Sequence, residues 1–200
     1  MLRRVVKVVA ITTVVMFIVT LGGLLAVKAY SDRHFYEGYV SGVPLNTTVS
    51  DIQAVNEPVK AFGQESRANY RCQRVEISAR CGERVPAVLT LPAAGEGPFP
   101  VIVLLHGSHQ EKEFVEEICT PFNDAGFAML CFDQYMRGER EVRGNFLTMA
   151  MAFRNRCWKT VHDTRRIIDY LETRPDIARD RIYLVGASFG AITGTAVLAQ

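Results

Sequence analysis

Residues 182–190, which read Ile-Tyr-Leu-Val-Gly-Ala-Ser-Phe-Gly, decide the fold prediction for this chain of 200 residues. The apolar run 182–185 predicts a strand that is covered on both faces, and the pattern from 189 to 199 predicts a helix. Between them, Gly-x-Ser-x-Gly predicts a sharp turn from strand to helix.

The residues before this turn alternate between strand and helix patterns. Apolar runs predict buried strands at 101–105 and 127–132, and an extended hairpin precedes them at 71–78 and 85–91. A helix is predicted over 111–125, where Gly126 stops it, and a long helix over 147–173. Strands that alternate with helices over about 100 residues predict an α/β domain with a mostly parallel sheet.

The turn at Ser188 has the spacing of a nucleophile elbow, in which a serine hydroxyl is lifted clear of the sheet. Side chains at Gly186 and Gly190 would collide with neighbouring backbone. The N–H of Phe189 starts the helix and would face a developing oxyanion, assisted by the helix dipole. We expect Ser188 to be a nucleophile. The alternative is a glycine-flanked turn that only packs tightly.

A second loop, His106-Gly107-Ser108-His109, directly follows the first buried strand. Acyl transfer needs a second backbone donor facing the serine, and the loop after this strand is where such a donor is found. We assign it to the N–H of Ser108, with the N–H of His109 as second choice. His106 is expected to be structural, with its ring packed and hydrogen-bonded so that it fixes the path of Gly107.

A third loop, residues 133–138, follows the next strand and contains Asp133 and Arg137. An acid at this place could complete a catalytic triad, but we expect these two residues to hold the loop by hydrogen bonds. Beyond it, five apolar side chains could line one side of a cleft or pack as a helix on the sheet: Met136, Phe146, Met149, Met151 and Phe153.

Three motifs occur in this order at suitable spacing: the strand and loop 99–107, Asp-x-x-x-Arg-Gly at 133–138, and Gly-x-Ser-x-Gly at 186–190. Over residues 70–200 or so, the chain resembles the α/β-hydrolase superfamily, in particular its dienelactone-hydrolase and acyl-esterase-like branch. The resemblance implies a serine nucleophile, a histidine base, an acidic partner and an acyl-serine intermediate formed from a small ester substrate. It implies no metal and no organic cofactor.

The resemblance breaks after Ser188. In this fold the acidic residue and then the histidine follow the serine, yet the last 12 residues contain no Asp, Glu or His. The strand at 182–185 would also lack the neighbouring strands that cover it in the family. We therefore expect an α/β-hydrolase sheet flanked by helices whose C-terminal part is missing, that is, the N-terminal portion of a longer hydrolase.

Three functional hypotheses follow. The first is a membrane-tethered serine hydrolase acting on ester-type acyl bonds, with peptidase or thioesterase activity on the same fold as a close variant. The second is a catalytically inactive hydrolase-like module that binds a partner. The third has His109 or His162 acting as an improvised base within this chain.

The N-terminal segment is strongly apolar. Residues 8–27 carry no charge, would be ~30 Å long as a helix and follow Arg3, Arg4 and Lys7. This pattern predicts a membrane anchor with the remaining chain on the extracytoplasmic side. The alternative is a signal peptide cleaved near residues 27–29, which would release a secreted protein.

Charge and composition complete the prediction. The chain has 23 Lys and Arg residues against 21 Asp and Glu, and four of the basic residues lie in the first 30 positions. The remaining part is slightly acidic, which argues against nucleic-acid binding. We expect residues 1–30 to be the anchor or signal segment, 31–68 a weakly structured tether with a short helix after Ser50-Asp51, and 69–200 the partial hydrolase domain.

Overall fold

The computed structural model describes residues 2–33, 39–54, 59–61, 64–66, 69–79 and 82–199. The contacts divide the chain into two units, Met1–Tyr39 and Val40–Gln200. In the first unit, helix α1 spans Leu2–Ser31. Its part Val6–Ser31 is 26 residues long and contains an 18-residue window with a mean hydropathy of 2.5, so it is long and apolar enough to cross a membrane.

The second unit contains strands and helices that alternate along the chain. The strands are β1 (Thr48–Ile52), β2 (Val59–Ala61), β3 (Gln64–Ser66), β4 (Tyr70–Ser78), β5 (Arg84–Pro92), β6 (Phe99–Leu105), β7 (Ala128–Phe132) and β8 (Ile177–Gly186). The helices are α2 (Phe114–Ile118), α3 (Thr120–Asp124), α4 (Phe146–Thr173) and α5 (Phe189–Leu198), with a 3₁₀ turn at Gly138–Arg140.

Six strands form one sheet in the order β1-β4-β5-β7-β6-β8, and β2 pairs with β3 separately. β6 is parallel to both of its neighbours, β7 and β8. The hairpin β4–β5 and strand β1 add antiparallel pairs on one side, which makes the sheet mixed. The predicted α/β fold, with helices flanking the sheet, is confirmed.

Alternate residues of β6 show that both faces of the sheet are covered. Val101, Val103 and Leu105 belong to a buried cluster that includes Ile167 and Leu171 of α4. Ile102 and Leu104 belong to a second cluster that includes Val115 and Cys119 from the α2–α3 region. This two-sided burial is what the unbroken apolar run of β6 predicts.

Two predicted elements differ in detail. The helix expected over 111–125 is split into α2 and α3 because Pro121 lies in the first turn of α3 and has no N–H to continue a helix. β8 is not buried on both faces: Tyr183 and Val185 are each 48% exposed, whereas Ile182 and Leu184 pack against the first cluster. Within the described chain β8 pairs only with β6, so its other edge is open.

The predicted tether contains a strand of the main sheet. Residues 48–52 form β1 and pair with β4, so the helix expected after Ser50-Asp51 does not begin within residues 52–54, and its continuation over 55–58 lies outside the described residues. Two β-branched residues, Thr48 and Val49, suit the edge of a sheet. The side chain of Arg166 also donates hydrogen bonds to the carbonyl oxygens of Val43 (2.8 Å) and Pro44 (2.9 Å). The folded unit therefore begins well before residue 69.

Candidate functional site

The turn between β8 and α5 has the geometry of an elbow. Ser188 has φ +52° and ψ −115°, a left-handed conformation that costs a non-glycine residue about 1–3 kcal/mol. A Cβ at Gly186 would lie 2.5 Å from the carbonyl oxygen of Gly190, and a Cβ at Gly190 would lie 2.5 Å from the carbonyl carbon of Leu105. A side chain at either position would therefore require the backbone to shift.

Main-chain hydrogen bonds connect the elbow to the neighbouring strand β6. The N–H of Ala187 donates to the carbonyl oxygen of Leu105 (3.0 Å), and the N–H of Gly190 donates to that of Ala187 (2.9 Å). Ser188 itself is exposed. Because two strands and a helix hold the backbone on either side, the hydroxyl is presented outside the packed core.

The loop after β6 lies next to the serine. A Cβ at Gly107 would be 3.8 Å from Cβ of Ser188 and 3.9 Å from the carbonyl oxygen of Ala187. Neither the N–H of Ser108 nor the N–H of Phe189 donates a hydrogen bond to another described residue. The two loops that carry the expected donor groups are thus neighbours.

His106 is fully buried at the base of this loop. Its Nδ1 is 2.7 Å from the carbonyl oxygen of Gly107, and its own carbonyl oxygen accepts from Nε2 of Gln134 at 2.9 Å. Burial lowers the pKa of the ring, which keeps the imidazole neutral. Oε1 of Gln110 accepts the N–H of Gly107 at 2.9 Å. Together these contacts fix the path of Gly107.

Asp133 organises the loop after β7. Its carboxylate accepts hydrogen bonds from the N–H of Lys112 (2.9 Å), Nζ of Lys112 (3.2 Å) and the N–H of Glu139 (3.0 Å). A side chain at Gly138 would overlap this carboxylate, which explains the glycine there. Asp133 therefore holds the loop by hydrogen bonds, as expected.

Arg137 contributes to this loop through its main chain, since its N–H donates to the carbonyl oxygen of Gln134 (2.9 Å) and its carbonyl oxygen accepts the N–H of Arg140 (2.9 Å). Its Nε is buried without a hydrogen-bond partner among the described residues. The side chain that holds the loop is that of Arg140, since its guanidinium donates to the carbonyl oxygen of Asp133 (3.3 Å) and to the carboxylates of Asp163 (2.5 Å) and Glu83 (3.1 Å). The sequence motif pointed to the nearer arginine, but the acidic partners come from α4 and from the turn before β5.

The histidines considered as improvised bases do not engage the serine. His109 is exposed, and His162 is buried with its ring edge-on to Trp158 at a centroid distance of 5.6 Å. Within the described residues, the hydroxyl of Ser188 makes no hydrogen bond to any histidine or carboxylate. No group of three or more His, Cys, Asp or Glu side chains in the described chain is placed to hold a metal ion.

The beginning of α4 presents apolar side chains to solvent. Phe146 is 89% exposed and Phe153 is 67% exposed, so these two side chains do not pack on the sheet. Further along the same helix, Arg156 is only 4% exposed, and its guanidinium carbon lies 3.9 Å from the centroid of the Phe189 ring. Sequence reasoning missed Arg156. Arg156 lies four residues from both Ala152 and Thr160, which are buried, so the helical period could have predicted that Arg156 lies on the buried face of α4.

Comparisons with known proteins agree with this architecture. The model of the dienelactone hydrolase family matches residues 85–200. YtaP of Bacillus subtilis (strain 168), a protein named as a hydrolase, is 26% identical over 150 residues, which are 67% of this chain and 50% of that protein.

Two solved structures show the same fold. An acetyl xylan esterase from Paenibacillus sp. R4 has a TM-score of 0.59 at 17% identity, covering 84% of this chain and 52% of its own. Acetyl xylan esterase 1 from Thermoanaerobacterium sp. JW/SL YS485 has a TM-score of 0.57 at 18% identity, covering 85% and 53%. The chain thus spans about half the length of these relatives, and the likeness shows the α/β-hydrolase fold.

Proposed function

Because the chain belongs to the dienelactone hydrolase family, we propose that it is a serine hydrolase that cleaves ester-type bonds of small molecules through an acyl-serine intermediate. The observation that carries the proposal is the strained backbone of Ser188, held between two glycines that admit no side chain. Strain of this kind persists where the surrounding structure enforces it, and it clusters at active sites.

In the proposed reaction, Oγ of Ser188 attacks the carbonyl carbon of the ester and passes its proton to a histidine base. The carbonyl oxygen becomes an oxyanion, which accepts hydrogen bonds from the N–H groups of Phe189 and Ser108. The alcohol leaves with the proton from the histidine, and an acyl group stays on the serine. Water then attacks the acyl carbon by the same route and regenerates the free serine.

The histidine base and its acidic partner are proposed to come from a further portion of the protein. Two observations support this: the chain spans about half the length of its matched relatives, and Tyr183 and Val185 on β8 are half-exposed. A further strand beside β8 would pair its open edge and extend the sheet.

A second candidate function is favoured by a different observation. The hydroxyl of Ser188 has no hydrogen-bonded base among the described residues, and an unassisted serine is a weak nucleophile. If the complete protein also lacks a base, the domain would serve as a hydrolase-like binding module. Peptidase or thioesterase activity would use the same elbow and differ only in the substrate pocket.

Covalent labelling separates these functions. The protein expressed from its complete reading frame is treated with a serine-directed fluorophosphonate, and the labelled peptide is identified by mass spectrometry. We expect labelling at Ser188, complete loss in Ser188→Ala, and full labelling in Thr195→Ala, which removes an exposed hydroxyl from the same helix. A folded protein that remains unlabelled at Ser188 would favour the binding module.

We further propose that α1 anchors the protein and that the domain faces the extracytoplasmic side. Three basic residues, Arg3, Arg4 and Lys7, precede or begin the apolar span, which favours an N-terminus retained in the cytoplasm. Alkaline extraction of membranes tests the anchor: an anchored protein stays in the pellet, whereas cleavage of a signal peptide near residues 27–29 gives a soluble, shortened chain. Accessibility of the domain to protease in intact cells tests the side.

A further inference from the structure

Arg156 and Phe189 form a close contact beside the proposed nucleophile. The guanidinium carbon of Arg156 lies 3.9 Å from the ring centroid of Phe189, well within the 6 Å of a cation–π interaction. Phe189 directly follows Ser188 and is the first residue of α5. The ring and the N–H that is proposed to bind the oxyanion therefore belong to the same residue.

The charge of Arg156 is not neutralised within the described chain. Its Nε and Nη2 are buried without hydrogen-bond partners, and the same holds for Nε of Arg137. Burial and the nearby positive charge of Arg137 lower the pKa of Arg156. A buried guanidinium without a counter-ion costs stability, so packing alone is a poor explanation for an arginine at this position.

The contact also explains how the elbow keeps one orientation. α5 begins at a strained residue, and no side chain caps its first turn. A guanidinium on the long helix α4 that rests on the Phe189 ring restricts the rotation of that residue relative to the sheet. No carboxylate of the described residues pairs with this positive charge, so it also favours negative charge on an oxygen next to the Phe189 N–H.

We propose that Arg156 is a positioning residue of the hydrolase: by stacking on the Phe189 ring it holds the Phe189 N–H in place for the oxyanion. This inference rests on the proposed function. It predicts an effect on the transition state and little effect on substrate binding, because Arg156 acts through Phe189 and not on the ester itself.

The test uses the protein from its complete reading frame, with p-nitrophenyl acetate as substrate. In Arg156→Met, which keeps an unbranched buried side chain, kcat should fall about 10- to 30-fold while KM changes less than about twofold; the upper value corresponds to a desolvated cation–π contact. The affinity for an aryl boronic acid, which forms a tetrahedral adduct with the serine, should fall in parallel. Arg156→Lys keeps the charge and should recover part of kcat.

Two further variants complete the design. Arg154→Met removes an exposed arginine from the same helix and should leave kcat unchanged. Phe189→Leu removes the ring and should lower kcat by a similar factor, with no additional loss when combined with Arg156→Met. If Arg156→Met does not fold, Phe189→Leu carries the test by itself.

The outcomes distinguish the two proposals. A wild-type protein without Ser188-dependent turnover overturns the proposed function. Ser188-dependent turnover that is unchanged in Arg156→Met, or reduced only through KM, overturns the role of Arg156 and leaves the proposed function standing. Additive losses in the double variant likewise overturn the coupling between Arg156 and Phe189.

Discussion

Replacing Gly190 by alanine is expected to break the elbow. The added Cβ would lie 2.5 Å from the carbonyl carbon of Leu105 and 2.8 Å from its Cβ, and it would be closer still to the carbonyl oxygen. Real Cβ atoms essentially never approach other heavy atoms within 3.0 Å. Because the neighbour is main chain of β6, which is paired on both sides by β7 and β8, it has little freedom to move, and the start of α5 must shift away.

The size of the effect follows from this overlap. Overpacking a rigid interior costs about 1–3 kcal/mol, and more where backbone must move. We expect a loss of about 3 kcal/mol for Gly190→Ala, which corresponds to a melting temperature lower by roughly 6–12 °C for a domain of this size. The displaced helix should also abolish fluorophosphonate labelling, since Ser188 directly precedes it.

Gly194 provides a matched control on the same helix. A Cβ there would lie 3.5 Å from Cδ1 of Leu105 and 3.6 Å from Cδ2 of Leu184, which are ordinary contacts. Alanine is favoured over glycine within a helix, so Gly194→Ala should be stabilised by about 0.5–1 kcal/mol and should label normally. Thermal unfolding followed by circular dichroism measures both variants. Equal melting temperatures for Gly190→Ala and Gly194→Ala would refute the steric argument.

Three further outcomes are expected. Ser188→Gly should lose fluorophosphonate labelling, yet in calorimetry it should melt about 2–4 °C above Ser188→Ala, because glycine adopts φ +52° without strain. A melting temperature below that of Ser188→Ala would contradict the argument that the backbone of Ser188 is strained. Arg140→Met should lose about 3–5 kcal/mol in urea denaturation, because Asp163, only 4% exposed in its side chain, would keep a buried carboxylate without its cation; a loss below 1 kcal/mol would contradict this. Asp176→Asn should be less stable by about 1 kcal/mol at pH 7, because hydrogen bonds from Arg174 lower the pKa of Asp176. That difference is present above the unfolded pKa of about 3.9 and should vanish as the pH falls through the lower folded value; a difference that persists at pH 2 would contradict the assignment.

The elbow and the parallel strands could be predicted because their determinants are local. A Cβ at Gly186 would collide with Gly190 and Ala191, only a few residues away, whereas a Cβ at Gly190 would collide with Leu105 of the adjacent strand; the five-residue pattern marks both glycines. The unbroken apolar run of β6 likewise predicts, without reference to distant residues, that both faces of the strand are buried. Motifs of this kind depend on backbone geometry, which varies little among proteins that share a fold.

The remaining features depend on contacts between distant residues. The side chain of Arg140 holds its loop because Asp163 and Glu83, from separate elements, converge on its guanidinium. β1 forms because the edge of β4 can pair with it, and no pattern within residues 48–52 predicts that β4 is its partner. The stacking of Arg156 on a ring 33 positions later requires the packing of α4 against the start of α5.

The hydrogen bonds from the Arg166 side chain to the carbonyl oxygens of Val43 and Pro44 have a consequence for proteolysis. From Val43 onward the chain is fastened to α4, and the N–H of Ser78 donates to the carbonyl oxygen of Leu45 (2.7 Å), whereas Gly42 is exposed in a turn. A single cut at Gly42 would detach the apolar helix and leave every sheet pairing intact. If α1 anchors the protein as proposed, such a cut releases a diffusible domain whose elbow is unaltered.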